Sequence, residues 1–365
     1  MVGGIAFIET RALTNRGIPM TTTIRTALTF CGTLLLAAAL HAEALALDGY
    51  WHGLRSTAWG DGAVGGTSNW YDMAPAAGNP VGVPDDRAIF APGAQKLTVE
   101  VKKKQSIKSI EYAAGNDKYQ IMVLNQLNVT GLGITNSSSL VQAITAKGKN
   151  GRLFFRNTAV AGLLGIGTQT IFIYNDDFAE TRFYGRSNAS NTKIINRKGG
   201  LLAFYDRSSA GAAELINSRP KSEIHFLGKS TGGLAKINNI KGTVDVDRLK
   251  AKSLPIRRIT NNRKFIVGDT QVDVSDTMTL QKRSRMHFFL SKNKSGKVSV
   301  ANAVVLAGKL QVTGGASVKK GQYVLVDSGQ KITGKFKKKV AFLGFTKKQN
   351  PKVSYKGKKV ILKVN

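Results

Sequence analysis

Ten lysines near the end of the chain form the strongest candidate for a binding surface. They interleave with Phe336, Phe345 and Tyr355, which we expect to face the core. A lysine ammonium is a compact point charge, so it attracts phosphate, carboxylate or sulfate groups without reading their arrangement. Stacked on successive turns of a repeating fold, these side chains would form a continuous basic stripe. The candidate polyanion-binding residues are Lys335, Lys337, Lys338, Lys339, Lys347, Lys348, Lys352, Lys356, Lys358 and Lys359.

The net charge also favours an anionic partner. The chain has 54 Lys or Arg, 22 Asp or Glu and a formal net charge of +32. Residues 248–365 alone contain 28 Lys or Arg against 4 Asp. This excess is larger than solubility requires, and a field of one sign attracts polyanions. The expected partners are lipopolysaccharide, acidic polysaccharide or extracellular DNA, and the alternative is a solvated surface without a ligand.

Acidic residues that could serve an enzyme are few. A glycosidase needs two converging carboxylates, and a lyase needs acidic residues for Ca²⁺ with a base nearby. The densest acidic run contains Asp176, Asp177 and Glu180, where the repeat spacing slips, and we interpret it as a solvated, protruding loop. Asp245 and Asp247 share a strand face, but Arg and Lys follow them, so we expect ion pairs.

Other catalytic or metal-binding groups are isolated. His52, His225 and His287 lie far apart in the sequence and do not have the spacing of a metal site or a triad. Cys31 is the only cysteine and lies in the predicted leader, so the processed chain would contain no disulfide and no thiolate ligand. We expect no catalytic residue, no metal and no cofactor.

Three tryptophans cluster early in the chain. Trp51, Trp59 and Trp70 either form a platform for sugar rings or cover the open end of a repeating fold. We favour the cap, because an uncovered core and an unpaired strand edge promote aggregation.

A sequence repeat determines the elements that position these residues. Phe183 begins FYGRSNASNTKIIN, Phe204 begins FYDRSSAGAAELIN, and Phe226 begins FLGKSTGGLAKINN. A period of this size predicts stacked units, and short period-two segments with few helix signals predict strands. The fold class is therefore all-β, a parallel β-helix of about a dozen turns. The expected structural stacks are Phe183, Phe204 and Phe226, an amide ladder of Asn196, Asn217 and Asn239, and an inward aliphatic row of Ile195, Ile216 and Ile237.

The first 46 residues read as a targeting segment. Met20 opens a short region with Arg25, and an apolar stretch follows. Small residues then predict signal-peptidase cleavage after Ala44 or Ala46. Residues 1–19 are interpreted as a mis-assigned start, and we expect no integral membrane span after processing.

Several blocks resemble the passenger region of bacterial autotransporters built from autotransporter-associated β-strand repeats. These blocks are TSNW from Thr67, VPDDRAIF from Val83, the three central units, GKVSVANAVVLAGKLQVTGG from Gly296, and GQYVLVDSGQKITGKF from Gly321. The resemblance implies a right-handed parallel β-helix that is exported to the periplasm, cell surface or exterior of a Gram-negative bacterium. Such passengers normally precede an outer-membrane translocator barrel, and we expect this chain to lack one.

The sequence thus predicts four regions and one leading function. The regions are a signal peptide with its extension (1–46), an N-terminal cap (47–96), a β-helix repeat region (97–295) and a basic C-terminal β-helix end (296–365). The leading hypothesis is a non-enzymatic, monomeric surface protein that mediates adhesion or envelope and matrix association through polyanions. The alternatives are a polysaccharide lyase or hydrolase of the same fold and a truncated passenger without an activity of its own.

Overall fold

The protein is a parallel β-solenoid of about ten turns with almost no helix. The computed structural model describes residues 47–62, 67–75, 78–164, 171–292 and 294–365, with only the backbone for 163 and 164. The predicted leader, including Ala44 and Ala46, lies outside these residues. The predicted fold class is confirmed, although the expected dozen turns is slightly too many.

Short strands, separated by tight turns, follow one another along the whole described chain. The N-terminal strands are β1 Gly49–Trp51, β2 Trp70–Tyr71, β3 Arg87–Phe90, β4 Thr98–Val101, β5 Gln105–Tyr112, β6 Gln120–Val123, β7 Gln126–Asn136, β8 Ala143–Lys147, β9 Arg152–Phe155 and β10 Val160–Leu164. The central strands are β11 Phe172–Asp176, β12 Glu180–Phe183, β13 Lys193–Asn196, β14 Leu201–Phe204, β15 Glu214–Asn217, β16 Glu223–Phe226, β17 Lys236–Asn239, β18 Thr243–Asp245, β19 Leu254–Ile256, β20 Arg258–Asn261 and β21 Lys264–Gly268. The C-terminal strands are β22 Gln271–Val274, β23 Met278–Leu280, β24 Arg285–Phe289, β25 Lys297–Val300, β26 Val304–Leu306, β27 Lys309–Thr313, β28 Gly321–Ser328, β29 Thr333–Gly334, β30 Ala341–Leu343, β31 Lys352–Lys356 and β32 Lys359–Val364.

The strands form three sheets that run along the solenoid. Sheet 1 has the order β2-β1-β3-β5-β7-β9-β12-β14-β16-β18-β21-β24-β27-β30, with β10 paired to β7. Sheet 2 has the order β4-β6-β8-β11-β13-β15-β17-β20-β23-β26-β29, and sheet 3 has the order β19-β22-β25-β28-β32-β31. Pairing is parallel except for β1 with β2, β28 with β32, and β31 with β32. Parallel pairing in register places equivalent residues of successive turns about 4.8 Å apart.

The repeated phenylalanines stack inside the solenoid. The rings of Phe155, Phe183, Phe204 and Phe226 are fully buried, with successive centroids 4.7, 4.9 and 5.0 Å apart. A tight corner recurs on the same three turns, where Ser190, Gly211 and Gly233 all have left-handed backbone, with φ of 51°, 59° and 58°.

The aliphatic row includes Ile237 as expected, but on the other two turns it lies one residue earlier than expected. Register pairs Ile194 with Leu215, and Leu215 with Ile237, and all three are buried. Ile195 and Ile216 instead occupy the outer position of their strands. The prediction for them was wrong because Asn196 and Asn217 point inward, and in a strand the neighbouring residue must then point outward.

Both ends of the solenoid are covered. At the N-terminal end, Trp51, Trp59 and Trp70 are fully buried, and the Trp70 ring lies 5.0 Å edge-to-face from each of the other two. The indole N–H of Trp51 donates to the carbonyl of Lys96 at 2.7 Å. Their burial supports the predicted cap and contradicts the alternative of a sugar platform. At the C-terminal end, the antiparallel hairpin β31–β32 pairs with β28.

Candidate functional site

A ladder of buried asparagine side chains lines the corner where the chain passes from sheet 2 to sheet 1. Its members are Asn175, Asn196, Asn217, Asn239 and Asn261, and each is at most 1% exposed. Each of the first four amide nitrogens donates to the amide oxygen on the next turn, at 2.8, 3.0, 3.2 and 2.6 Å in order. The predicted ladder of three is therefore the centre of a ladder of five.

The same amides also fix the first residue of the sheet 1 strand that lies one turn further along the solenoid. The amide nitrogens of Asn196, Asn217 and Asn239 donate their second hydrogen to carbonyls at distances of 2.7, 2.8 and 2.9 Å. The acceptors belong to Glu223, Thr243 and Lys264 respectively, each one turn further along the solenoid. The ladder thus holds the turn residues that follow each Asn in the same place on every turn.

The passages from sheet 2 to sheet 1 carry a row of cations on the outside, which we call the basic corner. Five of them follow ladder asparagines, and the last three follow Leu280, the register partner of Asn261 on the next turn. Seven of its eight members are exposed, and Arg263 is half-buried. They are Arg219, Lys221, Lys241, Arg263, Lys264, Lys282, Arg283 and Arg285. Within the described part of the chain, none of the eight has a nitrogen within 4.0 Å of an Asp or Glu oxygen.

One turn earlier, the same corner is neutralised. Arg197 lies 3.8 Å from Asp176, and Lys198 lies 3.0 Å from Asp177. The acidic run was expected in a protruding loop, but Asp176 ends β11, Asp177 is a tight turn residue with φ 54°, and Glu180 begins β12. These carboxylates therefore serve the corner and the neighbouring strands, and they are not gathered for chemistry.

The unpaired cations surround open depressions. Six of the eight, together with Gly242 and Thr243, line a depression of about 210 Å³ whose lining contains no acidic residue. Lys241 and Arg219 also line a second depression of about 930 Å³, whose other charged residues are the paired Arg197 and Lys198 and the acidic Asp176. The arrangement can hold several anionic groups in line along the solenoid axis.

The ten C-terminal lysines are all exposed, but they do not form the predicted stripe. Lys335 and the run from Lys337 to Lys339 lie between β29 and β30, so they continue the sheet 2 to sheet 1 corner on the last turn. Lys347 and Lys348 lie in a 3₁₀ helix, Lys347–Gln349, and the other four lie on or beside the hairpin β31–β32. The expectation of successive turns was wrong for these six, because the chain reverses in an antiparallel hairpin.

The aromatic residues between these lysines do contact the interior. Phe336 is 5% exposed, and its backbone N–H donates to the hydroxyl oxygen of Tyr355 at 3.1 Å. Phe345 and Tyr355 are partly buried and pack against the hydrophobic core.

The histidines lie apart, as their sequence positions predicted. His52 stacks on Tyr71 with ring centroids 4.1 Å apart, and His287 hydrogen-bonds the hydroxyl of Thr313 at 2.8 Å. His225 lies on the outer face of sheet 1 and contacts Glu223 at 2.8 Å. This hydrogen bond holds the pKa of Glu223 below its ordinary value. No group of three or more His, Cys, Asp or Glu that could hold a metal ion occurs among the described residues.

Asp245 and Asp247 do not make the expected ion pairs. The Asp245 carboxylate accepts the backbone N–H of Asp247 at 2.9 Å, and no basic nitrogen of a described residue lies within 4.0 Å of either carboxylate. Asp247 follows the end of β18, so it does not share a regular strand face with Asp245. Burial, followed by the nearby Asp245 and Asp269 carboxylates, raises the pKa of Asp247.

The basic corner itself was missed at the level of sequence. Its signal is a cation one or two residues after four of the five ladder asparagines, as in Asn196-Arg197-Lys198, Asn239-Ile240-Lys241 and Asn261-Asn262-Arg263. The cations are dispersed along the chain and come together only through the repeat. A run of adjacent lysines is easier to see in a sequence. In this fold, however, the cations that align over several turns are not adjacent in the sequence.

Comparison with known proteins provides no family. The chain matches no protein-family model, and no curated protein matches it significantly. In the described residues, no helix has the length and apolar character needed to cross a membrane.

Proposed function

We propose that this chain is an exported, non-enzymatic β-solenoid that mediates adhesion or association with the envelope or matrix by binding polyanions. The observation that carries the proposal is the basic corner, with eight cations on neighbouring turns and no acidic partner within 4.0 Å among the described residues. The buried Asn ladder fixes the turns that carry five of these cations, from Arg219 to Lys264, so a ligand does not have to order them.

The chemistry of the corner favours multivalent anions. Each cation that neutralises an anionic group releases condensed counterions, so affinity depends steeply on salt. The lysines act as point charges, whereas the arginines can also form two parallel hydrogen bonds to a carboxylate, sulfate or phosphate. A ligand with many such groups in line can engage several turns at once.

Two variants of equal charge test the proposal. The corner variant changes Lys221, Lys241, Arg263, Lys264, Arg283 and Arg285 to Gln. The hairpin variant changes Lys347, Lys348, Lys352, Lys356, Lys358 and Lys359 to Gln. Both remove six positive charges from exposed or partly exposed positions, so any difference between them reports location and not net charge.

Binding to immobilised heparin, lipopolysaccharide and DNA is the measurement. For the parent, raising salt from 50 to 200 mM should weaken binding by about 10³-fold if six anionic groups are engaged. The corner variant should lose most of its affinity and most of its salt dependence, and the hairpin variant should retain both. Equal losses in the two variants, or binding that ignores salt, would show that the corner is only a solvated face.

Export rests on the predicted leader and on the resemblance to autotransporter passengers. We propose that residues 1–46 direct secretion and that the processed chain begins at Leu45 or Leu47. N-terminal sequencing of the periplasmic and culture fractions measures this directly. Recovery of the chain with an intact N-terminus in the membrane fraction would show that the segment is an anchor.

A further inference from the structure

We propose that an aromatic cleft at the N-terminal end of the basic corner binds a sugar ring of an acidic polysaccharide, whose charged groups continue along the corner. This inference rests on the proposed function and specifies its ligand. It identifies an acidic polysaccharide as the polyanion, in preference to a nucleic acid.

The cleft is formed by a step in side-chain size on the outer face of sheet 2. Phe172 and Tyr174 project outward from β11, and their register partners on β8 are the smaller Ala143 and Thr145. Gln120 on β6 is the register partner of Ala143 one turn earlier. The resulting cleft has a volume of about 560 Å³, enough for a ligand ring with part of its neighbours.

A cation covers one face of each of the two rings, Phe172 and Tyr174, and the other face lines the cleft. The Lys193 ammonium lies 5.6 Å from the centroid of Phe172, and the Arg197 guanidinium lies 4.2 Å from the centroid of Tyr174. Both cations come from β13 or its following turn, on the side of β11 away from β8. The ring surfaces toward Ala143 are therefore the ones that line the cleft, and the cations hold the rings in place.

The cleft is continuous with the basic corner. Arg197 contacts Tyr174 on one side and lines the adjoining depression of about 930 Å³ with Lys198 and Arg219. That depression, which also contains Asp176, shares Lys241 with the next one, and five further corner cations line the next one. Three open sites thus follow one another over successive turns about 4.8 Å apart, which suits a linear chain lying along the solenoid.

The lining of the cleft favours a sugar over a nucleobase. A sugar ring has an apolar face, which fits an aromatic wall, and a rim of hydroxyl or carboxylate groups, which Lys118, Gln120 and Thr98 can meet. Nucleic acids instead stack successive bases on open aromatic platforms. Phe172 and Tyr174 lie 6.2 Å apart with their planes at 64°, so they provide walls for one ring and no platform for two bases.

Three probes and three variants test the inference. The probes are oligogalacturonate, inorganic polyphosphate and single-stranded DNA, each long enough to cover the corner. Tyr174→Ala removes one wall of the cleft, and Ala143→Leu fills the cleft while keeping both aromatic rings. Tyr205→Ala is the control, because this outward tyrosine stacks on Tyr184 on another sheet, with centroids 4.9 Å apart.

Titration calorimetry of the parent and the variants, with a melting curve of each, gives the readout. Tyr174→Ala and Ala143→Leu should each lower the affinity for oligogalacturonate by about tenfold, because apolar contact is lost. The affinity for polyphosphate should fall by less than about twofold. Tyr205→Ala should change neither. Unchanged oligogalacturonate affinity in both cleft variants, or an equal loss for polyphosphate, would overturn the inference, and a larger loss for DNA would assign the cleft to nucleic acid. A parent that binds none of the three probes would instead refute the proposed function.

Discussion

Removal of one rung of the asparagine ladder should destabilise the fold and weaken ligand binding without changing any charge. In Asn217→Ala, the protein loses two donated hydrogen bonds, to the side chain of Asn239 and the carbonyl of Thr243, and one accepted from Asn196. A hydrogen bond contributes about 1 kcal/mol net, and a buried group left unpaired costs about 1–3 kcal/mol. We expect the free energy of unfolding to fall by about 3–4 kcal/mol.

Urea unfolding followed by circular dichroism measures the loss, and Asn238→Ala is the matched control. Asn238 directly precedes the ladder residue Asn239 in β17 and lies on the outer side of the strand. Its substitution should cost less than about 0.5 kcal/mol. Asn217 fixes the carbonyl of Thr243, which lines the depression of the basic corner. Asn217→Ala should therefore also bind heparin less tightly than Asn238→Ala. A loss below about 1 kcal/mol, or equal losses in the two variants, would show that the ladder does not support the corner.

Two further predictions follow from buried hydroxyl and carboxyl groups. The Tyr112 hydroxyl is buried without a hydrogen-bond partner among the described residues, whereas that of Tyr119 donates to the carbonyl of Ala91 at 2.6 Å. Tyr112→Phe should therefore raise the free energy of unfolding by about 1 kcal/mol and Tyr119→Phe should lower it by a similar amount, and the reverse order in urea titrations would contradict this reasoning. The raised pKa of Asp247 means that the folded state holds this proton more tightly than the unfolded chain, so stability is lost as pH rises through the folded-state pKa. Asp247→Asn should raise the melting temperature at pH 7, and this gain should vanish below the ordinary Asp pKa of about 4; a gain that persists at lower pH would exclude titration as its cause.

The repeat made the fold predictable, but it did not show which side chains point inward near the ends of the strands. Equivalent phenylalanines and asparagines mark the period, so parallel stacking and the ladder follow from the sequence. Ile195 and Ile216 were misplaced because the sequence does not show that the polar Asn196 next to Ile195 points into the core. In the structure Asn196 is the last inward residue of β13, and a shift of one position reverses the face of every side chain in a strand.

The closing segment shows what periodicity cannot determine. Alternation over Lys352–Lys356 and Lys359–Val364 is the same for parallel and antiparallel strands. The connection distinguishes them, because a parallel pair requires a long crossover whereas a hairpin needs two residues. Only Gly357 and Lys358 separate β31 from β32, and Gly357 has φ 54°, so the hairpin was present in the sequence as a turn signal.

The basic corner carries an electrostatic cost that the fold itself does not require. Two unit charges about 5 Å apart repel by about 0.8 kcal/mol in water, and salt screens this repulsion. The turns do not need cations, since Ser218 and Ile240 follow ladder asparagines directly, and Asp177 shows that an acid fits at the same corner to pair with Lys198. In the basic corner, from Arg219 onward, no acid of the described residues lies within 4.0 Å of a cation, while the ladder beneath keeps the cations up to Lys264 aligned. A bound polyanion would supply that missing charge on every turn, and its stabilising effect should therefore be largest at low ionic strength, where the unrelieved repulsion is strongest.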